Sequence, residues 1–444
     1  MSDSSWDLGP FASQIRLASG QTLHQLDTGE YFLDFIPGNA QLVITFEGAG
    51  ANMSRPNGRR PGWGQAFLQK RGFSYLGVKP KKVDWYRQPD LHVFFRSKEF
   101  AAFAGQFERR IFFGTSMGGY AALAFAPALP GSTVIAHNPQ STLDSRIVPW
   151  ETRFVEGRSQ DWSGDFADGV LAQPCSRRIY LTYDPFHQQD RLHVQRIAGP
   201  NVTAFKIPLV GHGTPDWLLQ MGVLQHVTDQ MLDDSVSVES FAQAVRARRR
   251  ITRYYTRLFE TSKNEAVRAQ CLRLARDIDP ADGELTGIAI ESQYRKNEHA
   301  AVLEAYLANQ AMVGLAGSKR PQILAAVATS AWKSDRQDVL APVLAELRAM
   351  QTENYRYHAL LADLLVRMGL FEEAATLARR GLIIAPGRTE CYLVLSQVRE
   401  MQGLPGEALK VLEDGLPNLR INQVYRQALE RLREQAGQIA SEVG

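Results

Sequence analysis

The heptad Gly114-Thr115-Ser116-Met117-Gly118-Gly119-Tyr120 constrains this chain more than any other stretch. It follows the apolar run Ile111-Phe112-Phe113 and leads into the alanine-rich helical pattern of residues 121–126. A bare G-x-S-x-G turns up by chance. Placed between a strand and a helix, it reads as a sharp turn that lifts a serine oxygen to the carboxyl edge of a sheet. The flanking glycines let backbones pass at close range. The next helix points its N-terminus at the same spot, where unpaired amides favour negative charge. Ser116 is therefore the candidate nucleophile, against a plain structural turn.

A serine hydroxyl is a poor nucleophile without a base. His212 stands in Val210-Gly211-His212-Gly213-Thr214-Pro215, a glycine-rich loop after the last strand-like run, with Pro215 suited to a first helical turn. It is the expected base. The acid that orients it is expected at Asp184, directly after the run at 179–183. Asp190 is the alternative, as the acid or as a helix cap. The order Ser116, Asp184, His212 suits a strand–turn–helix nucleophile. For the oxyanion, the donors expected are the Met117 amide and the loop Glu47-Gly48-Ala49-Gly50-Ala51-Asn52, with Gly48 and Ala49 foremost. His137, Asn138 and Trp150 are expected to line the substrate pocket, and His187 is a further pocket candidate.

Short runs rich in β-branched and aromatic residues recur at 42–46, 111–113, 133–136, 179–183 and 203–207, with helical stretches between them. That alternation predicts an α/β fold with a doubly wound, mostly parallel sheet. Residues 141–174 interrupt it and are expected to form a lid, with Trp150 and Trp162 as alternative sugar-stacking platforms.

Residues 40–230 resemble the α/β-hydrolase superfamily, through the Ser116 turn, the Gly211-His212-Gly213 loop and an acid after the preceding strand. The resemblance implies an esterase, lipase, thioesterase, peptidase or acyltransferase. Asp184 departs from the usual pattern by lying at the strand end. Asn138-Pro139-Gln140 and Val148-Pro149-Trp150-Glu151 add some similarity to bacterial hydrolase-like proteins associated with surface polysaccharide.

Strand-like runs stop near Val238, and helical periodicity continues to the end. The expected domains are 1–235, a helical region at 236–350 with degenerate repeats, and 351–444. Gly369, Glu373, Ala374 and Gly381 recur as Gly403, Glu407, Ala408 and Gly415, each 34 residues on. Pro386 and Pro417 fall near the unit ends. This spacing resembles the tetratricopeptide repeat over 354–421 and implies a protein partner. Between the halves, Arg246, Arg248, Arg249, Arg250, Arg253 and Arg257 interleave with apolar residues. They read as a helix packed on the first domain or as a dock for an acidic partner.

The balance of 50 basic to 47 acidic residues gives no case for nucleic acid. Three scattered cysteines suggest neither disulfides nor zinc. No apolar run reaches the length of a membrane span, and the polar start lacks a signal-peptide pattern, so the expected location is cytoplasmic. Without H-E-x-x-H, P-loop or a strand–GxGxxG–helix unit, no metal or cofactor is expected. The expected function is a serine esterase or acyl-transfer enzyme acting on a small-molecule or glycan ester or thioester. The alternative is a weakly catalytic scaffold that binds protein or glycan partners through its repeats.

Overall fold

The computed structural model describes residues 6–11, 13–17, 20–50, 60–314, 316–350, 353–419 and 422–443. The chain forms two compact units, Met1–Thr261 and Ser262–Gly444. Among the described residues, no helix is long and apolar enough to cross a membrane.

The first unit holds a nine-stranded sheet: β1 (Ser13–Arg16), β2 (Thr22–Asp27), β3 (Tyr31–Ile36), β4 (Gln41–Phe46), β5 (Ser74–Pro80), β6 (Arg109–Thr115), β7 (Thr133–His137), β8 (Arg178–Tyr183) and β9 (Val202–Lys206). Their spatial order is β1-β2-β3-β5-β4-β6-β7-β8-β9. The pairs β1/β2, β2/β3 and β3/β5 are antiparallel, and the rest are parallel. The sheet is thus mixed and mostly parallel, as the alternating runs predict.

The antiparallel edge and β5 were not visible as apolar runs. β3 carries Asp34 and β5 carries Lys79, and these fully buried charges pair with each other. Each breaks the hydrophobic pattern of its own strand, and only the fold brings them together.

Helices cover both faces: α1 (Gln65–Lys70), α2 (Pro89–Arg96), α3 (Lys98–Gly105), α4 (Met117–Phe125), α5 (Val155–Arg158), α6 (Ala172–Cys175), α7 (Gln188–Arg196), α8 (Thr214–Gln220), α9 (Leu224–Leu232), α10 (Val238–Ala244) and α11 (Thr252–Thr261). Alternate strand residues feed two cores. Phe112 joins Phe46 and Tyr120 on one face, while Ile111 and Phe113 join Val43 and Trp217 on the other.

The expected boundary after residue 235 lies too early. Phe241 of α10 stacks on Phe205 of β9 at 4.4 Å, and Val245, Tyr255 and Phe259 are buried. The stretch 236–261 therefore belongs to the first unit, because its apolar face completes that unit's core. The arginine-rich segment does pack on this unit: Arg253 lies over the Trp217 ring at 4.5 Å.

The segment 141–174, expected to form a lid, packs against the first unit. Leu143, Val148, Gly157, Trp162 and Phe166 are buried. The Trp162 indole donates to the Gly157 carbonyl, and its ring sits edge-on to Tyr120. Arg87 ties this stretch down through the carbonyls of Asp161, Ser163 and Asp165. Trp162 is a core residue and offers no stacking platform.

The second unit is all helical: α12 (Glu265–Ile278), α13 (Gly283–Arg295), α14 (His299–Ala308), α15 (Gln310–Gly314), α16 (Arg320–Lys333), α17 (Gln337–Ala349), α18 (Tyr355–Arg367), α19 (Phe371–Ile384), α20 (Thr389–Met401), α21 (Pro405–Gly415) and α22 (Gln423–Val443). One core runs from Ile290 to Val398, so the break expected at 350/351 is absent. Gly369 and Gly403 follow α18 and α20 at φ 79° and 77°, ending the first helix of each pair as expected. Ala374 and Ala408, on the second helix of each pair, are fully buried. Asn297 and Asp335 take the same left-handed position after α13 and α16, at φ 60° and 52°. The residues just beyond, Glu298, Arg336, Leu370 and Leu404, each donate back to the carbonyl five positions earlier. This shared helix stop extends the repeated helix-pair architecture through the region whose register the sequence left open.

Candidate active site

Ser116 sits between β6 and α4 with φ 51° and ψ −118°, a conformation that a non-glycine residue adopts only when its surroundings enforce it. The enforcement is steric. A Cβ at Gly114 would lie 2.1 Å from the Gly118 carbonyl oxygen, and one at Gly118 would lie 2.2 Å from that of Phe46. The Ser116 amide donates to the His137 carbonyl at 2.9 Å, tying the turn to β7. The hydroxyl stays partly exposed at the carboxyl edge of the sheet.

His212 meets it from the loop between β9 and α8. Ser116 Oγ lies 2.8 Å from His212 Nε2, and His212 Nδ1 lies 2.8 Å from Asp190 Oδ2. Serine, imidazole and carboxylate thus form a continuous relay. The acid in that relay is Asp190 and not Asp184, the residue expected first. Asp184 is buried at the end of β8, where Oδ1 accepts the Phe186 amide at 2.9 Å and Oδ2 the Gly211 amide at 2.7 Å. It anchors the base of the histidine loop. Asp190, in the first turn of α7, is the group that reaches the imidazole.

Asp190 is fully buried and holds more than His212. Its Oδ1 accepts from Arg153 at 2.9 Å, and His187 Nδ1 lies 3.3 Å away. Burial acts to raise its pKa, but the hydrogen bonds from His187 and His212 and the charges of His212 and Arg153 outweigh that. They hold the carboxyl well below the usual range. Arg153 also grips Glu151 with two nitrogens, and its guanidinium lies over Phe154, whose ring is 5.8 Å from that of His212. Segment 150–154 is thus a fixed wall beside the histidine. Arg153, Glu151 and His187 were not read as members of this cluster. No spacing links Arg153 or Glu151 to Asp190, and only the packing of 141–174 against α7 does; His187, three residues before Asp190, caps α7 by accepting the Asp190 amide.

His137 and Asn138 support the histidine loop from beneath and do not line a pocket. Both are buried. Asn138 Nδ2 donates to the His212 carbonyl at 2.6 Å, and Asn138 Oδ1 accepts from Thr214. His137 Nδ1 lies 2.7 Å from Thr182 Oγ1, and burial pushes its pKa down to about 4. Trp150 is half-buried with its ring 4.6 Å from that of His193. A second Ser–His–carboxylate set lies behind it: Ser141 Oγ to His193 Nδ1 at 3.0 Å and His193 Nε2 to Glu151 Oε2 at 3.1 Å. All three residues are fully buried, and the Ser141 amide donates to the same Nδ1 at 3.1 Å. This set is structural, because no substrate reaches it.

On the other side of Ser116 lies the loop after β4. A Cβ on Gly48 would be 3.1 Å from the Thr115 carbonyl oxygen and 3.9 Å from Ser116 Cβ, so Gly48 approaches the serine as expected. Ala49 is exposed, and Ala51 and Asn52 lie outside the described residues. Glu47 pins this loop. Arg60 holds its carboxylate at 2.5 and 2.6 Å, and Tyr86 donates to its carbonyl at 2.9 Å. Met117 is the first residue of α4, where a helix leaves its amides without internal partners.

No protein-family model matches the chain, and no curated protein sequence does. Among solved structures, the capsule O-acetyltransferase of Neisseria meningitidis serogroup A is similar over 48% of this chain and 95% of its own, at 12% identity and a TM-score of 0.34. Mycobacterium tuberculosis MPT51 is similar over 50% of this chain and 98% of its own, at 13% identity and a TM-score of 0.31. Yeast Tom70 is similar over 51% of this chain and 56% of its own, at 9% identity and a TM-score of 0.29.

Proposed function

We propose that the first unit is a serine acyl-transfer enzyme, an esterase or acyltransferase, acting on an ester or thioester of a small molecule or a glycan. The observation that carries this reading is the unbroken relay from Ser116 through His212 to Asp190, at 2.8 Å for each step. In the proposed reaction, Ser116 Oγ attacks the acyl carbonyl and its proton passes to His212 Nε2. Asp190 stabilises the imidazolium that forms. The carbonyl oxygen becomes an oxyanion beside the Met117 amide, with the Gly48 loop as the second source of donors. Collapse breaks the bond to the leaving alcohol or thiol, which takes the proton from His212. Water or an acceptor hydroxyl then gives its proton to His212 and takes the acyl group; the acyl–Oγ bond breaks and His212 returns the proton to Ser116. A surface polysaccharide is one class of acceptor for such a site. The second unit, as stacked helix pairs, is proposed to bind a protein partner.

Labelling with a fluorophosphonate probe tests the reading. Wild type is expected to label at Ser116, and Ser116→Ala and His212→Ala are expected to remain unlabelled. Absence of labelling in folded wild type would refute an activated serine and leave the scaffold reading.

A further inference from the structure

The arginine-rich segment forms a feature that acyl transfer does not use. β9 is the last strand of the sheet, and α10 with the 3-10 turn Val245–Arg250 packs beside it. Between them is a cavity of about 460 Å³. Its floor is apolar, made by the stacked rings of Phe205 and Phe241 with buried Val245. Its rim carries Lys206, Arg246, Arg248 and Arg249. Among the described residues, no carboxylate lines it. Among the described residues, none of the four cations has an acidic partner within ion-pair distance, unlike Arg60, Arg71, Arg109, Arg146, Arg153 and Arg196 of the same unit.

Arg248 is the best placed of the four. Its Nη1 donates to the Val245 carbonyl at 3.1 Å, and its guanidinium lies 5.4 Å from the Tyr254 ring centroid. These contacts fix the fork, yet its buried Nε has no hydrogen-bond partner. A buried donor left unpaired is costly, and so is a ring of like charges around a low-dielectric floor. A bound anion relieves both. Four cations call for more than the single charge of a carboxylate. A phosphate monoester brings about two charges and three acceptor oxygens that match a guanidinium fork. The cavity falls within the range of about 300–1,000 Å³ that suits a small molecule, and its accessible apolar lining of Ala204, Pro208, Val238 and Ala242 suits an apolar group attached to that phosphate.

The geometry points to a second binding site, separate from Ser116, for a soluble phosphate ester carried on an apolar or aromatic group. 1-Naphthyl phosphate is the probe, titrated calorimetrically into the full chain carrying Ser116→Ala so that no serine chemistry intervenes. The expected result is saturable one-to-one binding. Affinity should fall at least about tenfold in the Arg248→Gln/Arg249→Gln double variant. It should also weaken as salt rises from about 0.05 to about 0.5 M. The double variant in a Ser116 background should keep its circular dichroism and its fluorophosphonate labelling, which separates site loss from misfolding. No saturable binding, equal affinity in the double variant, or equal binding of uncharged 1-naphthol would overturn the proposal. Co-sedimentation with anionic phospholipid vesicles without binding of the soluble probe would also overturn it, by assigning the patch to a membrane surface.

Discussion

Asp190→Asn separates the two candidate acids. Asp190 has one oxygen toward His212 Nδ1 and the other 2.9 Å from the Arg153 guanidinium, which can only donate. An asparagine here must give its single carbonyl oxygen to Arg153, which turns its amide NH₂ toward His212. The imidazole then has to accept at Nδ1 and carry its proton on Nε2, facing Ser116 Oγ, where it cannot take the serine proton. A wrong tautomer of this kind costs about 10⁴-fold in rate, or about 5.5 kcal/mol of transition-state stabilisation. Asp184→Asn does something different. It keeps one acceptor for the two amides of Phe186 and Gly211 and loses the charge that strengthens both bonds. The expected cost is about 1–3 kcal/mol of stability, with less than about a tenfold change in rate. The assay is second-order inactivation by the fluorophosphonate probe, alongside urea unfolding of each variant. Near-wild-type labelling by Asp190→Asn with a collapse in Asp184→Asn would refute the assignment.

Gly118→Ala forces a methyl to within 2.2 Å of the Phe46 carbonyl, which cannot move without parting β4 from β6. It is expected to cost about 3 kcal/mol or more on urea unfolding and to abolish labelling. Arg153→Gln removes the cation that Asp190 and Glu151 share, and is expected to move the acid limb of the pH–labelling profile to higher pH; an unchanged limb would count against this role. His137 gives a pH dependence of stability. Its folded pKa of about 4 lies below the unfolded value of 6.5, so the unfolded chain takes up the proton first. Its contribution is complete above pH 6.5 and is lost as pH falls toward 4, up to about 3 kcal/mol, a slope that His137→Gln should flatten. In the repeats, Gly369→Ala at φ 79° is expected to cost about 1–2 kcal/mol, and Gly369→Asn less, since Asn297 already occupies the equivalent position; equal losses on urea unfolding would refute the shared helix stop.

The parts of the site that local geometry dictates were legible in the sequence. The Ser116 turn needs glycine at fixed offsets, and the His212 loop follows the last strand, so both could be placed from spacing alone. Asp190 was only the alternative because the choice between two nearby carboxylates depends on direction. One projects from a strand end toward a loop amide, the other from a helical turn toward an imidazole. Trp162 looked like a ligand platform because an aromatic in a long irregular stretch carries no sign of its packing. Asp34 and Lys79 hid two strands, since a charge reads as exposure until its partner is known. The helix stops at Asn297 and Asp335 were missed because the periodicity was sought in glycine. The property that repeats is a tolerated left-handed backbone, which Asn and Asp share.

The cluster behind His212 has an electrostatic logic of its own. Glu151 and Asp190 are both fully buried and share the single cation Arg153. His193 lies against Glu151 with its pKa lowered, chiefly by burial, so it adds no charge near neutral pH. The two carboxylates and one guanidinium together carry a net charge of −1. In the proposed reaction, proton transfer from Ser116 would place a positive charge on His212, 2.8 Å from Asp190, and offset that charge. The environment is therefore matched to the state that exists only after the proton has moved. Interactions stronger in that state than in the resting one are those that accelerate a reaction. Arg153 sets the balance. Without it the two buried carboxylates would lose the guanidinium they share. Segment 150–154 accordingly serves the site by bringing Arg153 to Asp190.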